Sequence, residues 1–320
     1  MRDFVVQGPT SRVVFARGLL TTADGIARAV DSIQALGCHR LMLIGSPRAL
    51  AAVDAFRARV EATDGLAVVG IVDDLSGQDV GEGMAQRVAS NVQAWSADGL
   101  VSVSGGTSIA VAKAVGVAQG GLPVVCIPTT FSGSEVTAYY GVRTTDPTTG
   151  RTRKAAKRDE AARPRLVLYD PALLASLPRG LAVASVFNAL AHAFEVLWLP
   201  RAAPQSGWAA REAVPVLLGS LPALQSGGAQ PEAAAAALDE LLSGAYLAAY
   251  ALDAESLGLQ HRLAHVLGGA YGLSHAEAHM SILPYVIHFH AEALPTELLD
   301  VLGTADVAGR VYDVQRAVVR

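Results

Sequence analysis

The spacing of histidines is the first sign of chemistry in this chain of 320 residues, which has eight of them, six between residues 261 and 290. Asn188 and His192 stand four residues apart, as do His261 and His265, and again His275 and His279. In a helix, residues four apart share a face, so three helices each offering two imidazole or amide groups would line one pocket. Burying several imidazoles without a polar purpose is costly. The isolated His39, His288 and His290 read instead as satisfied packing residues. Such a pocket is open to metal binding, acid–base catalysis, or both. A metal would want a carboxylate where Asn188 stands, and a neutral amide oxygen is a poor ligand for a divalent transition metal. Glu195, one turn past His192, and Glu277, on the opposite face from His275 and His279, are not placed to replace it. The residues favour a polar, metal-free pocket with His261, His265, His192 and Asn188 as its catalytic candidates.

A second kind of chemistry lies upstream. The apolar run Gly99–Val103 leads into Ser104-Gly105-Gly106-Thr107-Ser108 and then a helical stretch. Glycines after a strand let backbone approach a ligand closely, and a helix N-terminus offers free N–H groups and partial positive charge. Gly105, Gly106, Thr107 and Ser108 therefore read as a pyrophosphate cradle. A polar turn after the next strand, Pro128 to Glu135, lies at the same sheet edge and adds Thr129, Thr130 and Ser134 as candidates for the same ligand. Ser46 follows the strand Arg40–Gly45, and no acid stands there to repel a ribose 2′-phosphate. With Arg48 two residues on, NADPH is expected to bind at least as well as NADH.

These groups need elements to hold them. Arg40–Gly45, Ala67–Val72, Gly99–Val103, Pro123–Ile127 and Leu166–Tyr169 read as buried strands, each a short apolar run closed by Gly, Pro, Ser or Asp. Helical patterns over Ala49–Thr63, Gly81–Ser96 and Thr107–Gln119 separate them, and Val5–Gln7 with Val13–Phe15 read as a small antiparallel pair. Alternating strands and helices predict a doubly wound, mostly parallel, Rossmann-like α/β domain over residues 1–175. From Pro171 the strand signal fades. Ala172–Leu177, Leu181–Leu199, Gln205–Leu224, Pro231–Leu252, Ser256–Tyr271 and Ser274–His290 read as helices, predicting an all-α domain over residues 176–320 that carries the histidines.

Composition agrees with a folded enzyme. Half the residues are hydrophobic (51%), only 17% are charged, and the net charge is −4. That excludes a disordered chain and argues against a phosphate-tracking nucleic-acid surface. Two cysteines, Cys38 and Cys126, cannot build a disulfide framework. There is no signal-peptide pattern and no membrane-length run free of Gly, Pro and charge. The expectation is a cytoplasmic protein, working on a small molecule as a homodimer, without membrane or nucleic-acid partners.

The motifs together resemble the iron-containing alcohol dehydrogenase superfamily, and within it the maleylacetate reductase branch. The matching segments are VSGGTSIAVAKAVG (103–116), PTTFSGSEVT (128–137), YDPALLASLP (169–178), NALAHAFE (188–195) and GLQHRLAHVLGGAYGLSHAEAHMSILPYVIHF (258–289). The resemblance implies a dehydroquinate synthase-like architecture and a reductase using NADH or NADPH on a small anionic ketone or enone such as maleylacetate. Metal-dependent members carry Asp-x-x-x-His and two further His ligands, matched here by Asn188, His192, His261 and His275. The maleylacetate reductase branch resembles this chain in having Asn at the first position and in needing no bound metal. Without a metal, His261, His265 or His192 must then supply the proton or preorganised donor for the developing alkoxide. Arg262 and Lys154 are the candidate cations for an anionic substrate, with His275 and Phe131 beside it. This chain departs from the pattern at Ser104, Phe131, Ser185-Val186 and Gln260–His265, and stops at Arg320 where relatives continue. Two alternatives stay open: a cyclase- or lyase-type homologue catalysing a non-redox step, and a redox-inactive binding protein.

Overall fold

The computed structural model describes residues 4–7, 11–75, 82–145, 152–200, 202–225, 231–255 and 257–319. Its elements run β1 (Phe4–Gln7), β2 (Arg12–Phe15), α1 (Ala23–Gln34), β3 (Arg40–Gly45), α2 (Pro47–Ala51), α3 (Asp54–Glu61), β4 (Ala67–Val72), α4 (Glu82–Ala94), β5 (Gly99–Ser104), α5 (Gly106–Ala118) and β6 (Val124–Pro128). There follow β7 (Tyr139–Thr145), β8 (Thr152–Arg158) and β9 (Leu166–Tyr169), then α6 (Arg179–Leu197), α7 (Pro204–Ser220), α8 (Pro231–Asp253), α9 (Leu259–Tyr271), α10 (His275–Phe289), α11 (Thr296–Leu302) and α12 (Val307–Val319). Two compact units divide them, one of Arg2–Thr129 with Ser134–Leu174, the other of Thr130–Gly133 with Ala175–Arg320.

The first unit is built on a seven-stranded sheet of order β1-β2-β9-β6-β5-β3-β4. Only the β1–β2 pair is antiparallel, so six strands run parallel, as buried apolar runs joined by helices require. From β3 the chain steps outward to β4 and then returns to the other side of β3 as β5. The strand order reverses there, and the carboxyl ends of β3 and β5 border the crevice where ligands bind in open sheets. Gly45 ends β3 against its neighbour: a Cβ on it would run into the Val103 carbonyl. Asp170, after the interior strand β9, accepts from the backbone N–H of Gly18 and Leu20, each at 2.8 Å, fixing the turn between β2 and α1.

Several local expectations change. The helix expected over Ala49–Thr63 is two, because Val53 leaves helical geometry (φ −119°, ψ 23°) with its side chain buried. Ala172–Leu177 is a 3₁₀ stretch, Pro171–Ser176. The expected helix over Gln205–Leu224 ends at Ser220 and continues as a 3₁₀ turn. The β7–β8 hairpin, α1, α11 and α12 were not expected.

The second unit is helical and organised around α6, whose residues Ala182 to Leu197 are all buried. A helix buried on every side is hydrophobic all round, and α6 is long and apolar enough to cross a membrane by length and composition alone. Here protein takes the place of lipid, since most of that length is buried in the unit. The helix packs against α7, α8, α9 and α10, which puts its few polar residues, Ser185, Asn188, His192 and Glu195, into the interior.

Candidate functional site

The cradle in the first unit is a helix start left open. Gly105 is the N-cap of α5, and no side chain caps it, so the first-turn N–H groups have no side-chain acceptor. Ser104 is turned back, its hydroxyl donating to the Gly105 carbonyl at 2.9 Å. Thr107 is exposed and Ser108 buried. The following turn is tied to this one by Thr129 N–H donating to Ser104 O at 3.0 Å. An uncapped helix start of small residues at the carboxyl end of β5 fits an anionic pyrophosphate. Ser46 is engaged differently: its hydroxyl caps α2, accepting from Ala49 N–H at 3.3 Å. Ser134 lends its backbone carbonyl to the buried Lys113 ammonium at 2.7 Å.

Thr130 and Phe131 belong to the helical unit. Phe131, expected beside the substrate, is fully buried. Its N–H donates to Ser185 Oγ at 3.4 Å. Thr130 is also buried, and its hydroxyl has no hydrogen-bond partner. Arg262 is exposed although its neighbour His261 is buried. Lys154 lies in β8, with its side chain outside the described residues.

The three pairs of residues at four-residue spacing come together. His192 from α6 stacks on His261 from α9 at 5.2 Å between ring centroids. His261 meets His279 of α10 at 4.5 Å, and His279 meets His275 at 4.4 Å, both edge to face. His265 closes the group on His275 at 5.1 Å. Asn188 donates its amide to the Ser132 carbonyl at 3.0 Å, leaving Oδ1 buried without a partner. Burial, reinforced by the neighbouring imidazoles, holds His192 and His279 well below the ordinary histidine range.

Two residues not expected in the site complete it. Glu195, set aside above as unable to replace a missing ligand, is fully buried; it accepts from His261 Nδ1 through one oxygen and from Gln260 N–H at 3.1 Å through the other. A carboxylate on Nδ1 fixes the ring's orientation and presents Nε2 to the cluster. Gln260, also fully buried, places its side-chain nitrogen 3.1 Å from His279 Nδ1. Glu277 has no part in this arrangement, since with Ser274 it forms the capping box of α10.

Donor atoms of His261, His275 and His279 lie within 4.8 Å of one another, close enough by distance to share an ion. The group contains no carboxylate ligand, and Asn188 offers only a neutral oxygen. His279 Nε2 and His275 Nε2 are already hydrogen-bonded to each other at 3.1 Å. A metal needs a lone pair from each ring, and a shared proton removes one.

Comparison with known proteins places the chain in a family. Residues 13–171 match the family model described as iron-containing alcohol dehydrogenase, and residues 182–319 match that of the Fe-containing alcohol dehydrogenase family, C-terminal. The chain is 31% identical to a maleylacetate reductase of Delftia acidovorans, covering 98% of this chain and 84% of that one. It is 34% identical to one of Burkholderia cepacia, covering 91% and 76% respectively. The crystal structure of maleylacetate reductase from Agrobacterium tumefaciens superimposes with a TM-score of 0.82 at 27% identity, over 99% of this chain and 85% of that one. The chain belongs to the iron-containing alcohol dehydrogenase family, on its maleylacetate reductase-like branch, and is an NAD(P)-dependent oxidoreductase.

Proposed function

We propose that this chain reduces maleylacetate, or a small anionic keto or enone acid close to it, with NADH or NADPH and without a metal. The observation that carries this reading is the buried imidazole cluster in which Glu195 holds His261, while no carboxylate stands among the potential ligands. The nicotinamide supplies hydride when bound. Gly105, Gly106, Thr107 and Ser108 would hold its pyrophosphate on their backbone N–H groups, with Thr129 and Ser134 as further cofactor-binding candidates. As hydride adds to the substrate carbon, negative charge develops on oxygen, as an alkoxide from a ketone or an enolate from an enone. His261 delivers a proton from Nε2 to that charge, and Glu195 keeps the second ring proton on Nδ1. Asn188 and His192 are polar groups of the same α6 face and orient the substrate side, with His265 and His275 beside them. Arg262, exposed and next to His261 in sequence, is the candidate cation for a substrate carboxylate.

The test is to follow NADH and NADPH absorbance with maleylacetate, on protein purified without chelator and analysed for iron and zinc. Cofactor oxidation with far less than one metal per chain is expected, unchanged by chelator treatment. Activity that requires near-stoichiometric metal would overturn the metal-free part. Tight cofactor binding with no oxidation of either cofactor would overturn the redox part.

A further inference from the structure

Gln260 bonds to His279 twice. Its side-chain nitrogen lies 3.2 Å from the His279 backbone carbonyl as well as 3.1 Å from Nδ1 of the ring. A carbonyl oxygen only accepts, so the atom beside it must be the amide nitrogen, and the amide has a single orientation. The same nitrogen then donates to His279 Nδ1, which therefore carries no proton. A ring with bare Nδ1 holds its one hydrogen on Nε2, and that hydrogen points at His275 Nε2, 3.1 Å away. Burial depresses the basicity of His279 and agrees with the neutral ring. Glu195 imposes the opposite arrangement on His261, where Nδ1 donates to the carboxylate.

Three imidazoles bind a divalent ion only when three lone pairs converge on it. Here one of the three nitrogens carries a hydrogen, and a second has its lone pair occupied by that hydrogen. We propose that Gln260 is a tautomer lock: by donating to His279 it bars divalent metal from the His261–His275–His279 group and keeps the group a directed hydrogen-bond chain, Gln260 to His279 to His275. Gln260 Oε1 is left buried without a partner, so the amide is held in place by what its nitrogen does. A carboxylate at this position would accept from Nδ1 instead, move the His279 proton there, and free Nε2 as a ligand. This is the carboxylate–histidine–metal arrangement.

The inference rests on the metal-free reading of the same cluster but not on substrate or turnover, so its test uses neither. Full-length wild type and Gln260→Glu are titrated with Co²⁺ alone, and then with Zn²⁺ in competition. Wild type is expected to show no intense tetrahedral cobalt bands, and Gln260→Glu to bind stoichiometrically, about 10- to 100-fold tighter, the range typical for an outer-shell partner. Equal affinity in the two proteins, weak or tight, overturns the proposal. Long-range ¹H–¹⁵N correlation of the wild-type histidines decides it independently should the variant not fold. His279 as the Nε2–H tautomer is the expected result, and Nδ1–H overturns it.

Discussion

Glu195→Gln isolates the contribution of one charge in a buried site. The wild-type carboxylate accepts twice, from Gln260 N–H at 3.1 Å and from His261 Nδ1, and is fully buried. Glutamine has nearly the same shape but one acceptor and one donor. If its NH₂ faced Gln260 N–H, two donors would meet in the interior, leaving a buried group unsatisfied at a cost of about 1–3 kcal/mol. The amide will therefore keep its oxygen on Gln260 N–H and turn its NH₂ to His261. His261 Nδ1 must then accept, and the neutral ring's proton moves to Nε2. Both hydrogen bonds lose their charge assistance, about 1 kcal/mol each, so the protein should melt earlier yet remain folded.

Turnover should suffer more than stability. With an NH₂ against Nδ1 the ring can no longer hold two protons, and it ceases to be the acid that neutralises developing oxyanion. Loss of general-acid catalysis is worth on the order of 10²–10⁴ in rate, and kcat should fall by that amount. KM and the cofactor dissociation constant should stay within about threefold, because the lost interaction belongs to the transition state. The assay is single-turnover cofactor oxidation with maleylacetate, beside a fluorescence titration of NADPH. His261→Ala and the Glu195→Gln, His261→Ala pair complete a cycle in which the double variant is no slower than His261→Ala, since Glu195 acts only through that ring. A folded Glu195→Gln protein with kcat within about threefold of wild type would refute the assignment, as would additive losses in the cycle.

Thr107→Glu sets a carboxylate on the exposed first turn of α5, where the helix itself tolerates it; NADPH should bind at least about tenfold more weakly, a difference of about 1.4 kcal/mol by titration, and unchanged affinity would remove the cradle. Gly133→Ala forces φ +71° on a side chain whose Cβ would lie 2.7 Å from Ala249 Cβ and 3.1 Å from His192 Nδ1. It should cost on the order of 1–3 kcal/mol in a denaturant melt, and a neutral substitution would contradict the close fit. His192 and His279 are held well below the ordinary value of 6.5, first by burial. The unfolded chain therefore takes up protons that the folded one refuses as pH drops below about 6.5. Stability is retained above that pH and falls below it, by up to about 1.4 kcal/mol per pH unit for each ring. Melts between about pH 8 and pH 5 should show this decline, and a flat profile would mean the rings are not buried as neutral groups.

The parallel sheet was legible because buried strands are written as apolar runs, and β3, β4, β5 and β9 fall where those runs end in Gly, Ser or Asp. The β7–β8 hairpin has no such run: Tyr139–Thr145 pairs with Thr152–Arg158, and its polar residues read as loop. For α1 the signal existed, since Ile26, Ala29, Val30 and Ile33 form a buried stripe at helical spacing. The same holds for Val307, Val311 and Val318 of α12. Their stripes are short beside the longer apolar stretches around them, whereas the break at Val53 depends on backbone angles that composition does not record.

The site divides along the same line. Four-residue spacing encodes which side chains share a helix face, and Asn188, His192 and Glu195 follow it at positions i, i+4 and i+7. Glu195 is no replacement ligand; it accepts a hydrogen bond from another helix's ring. Spacing says nothing about that partner. Gln260 is harder still. Neighbours in sequence point about 100° apart on a helix, so nothing links Gln260 to the face of His261, and its partner lies on α10. Its importance comes from a chemical constraint rather than a pattern: a nitrogen beside a carbonyl must donate, and a single donated hydrogen fixes the proton positions of the next two rings. A cluster of like imidazoles can be found by counting, but whether it holds a metal or a proton depends on groups that are not imidazoles.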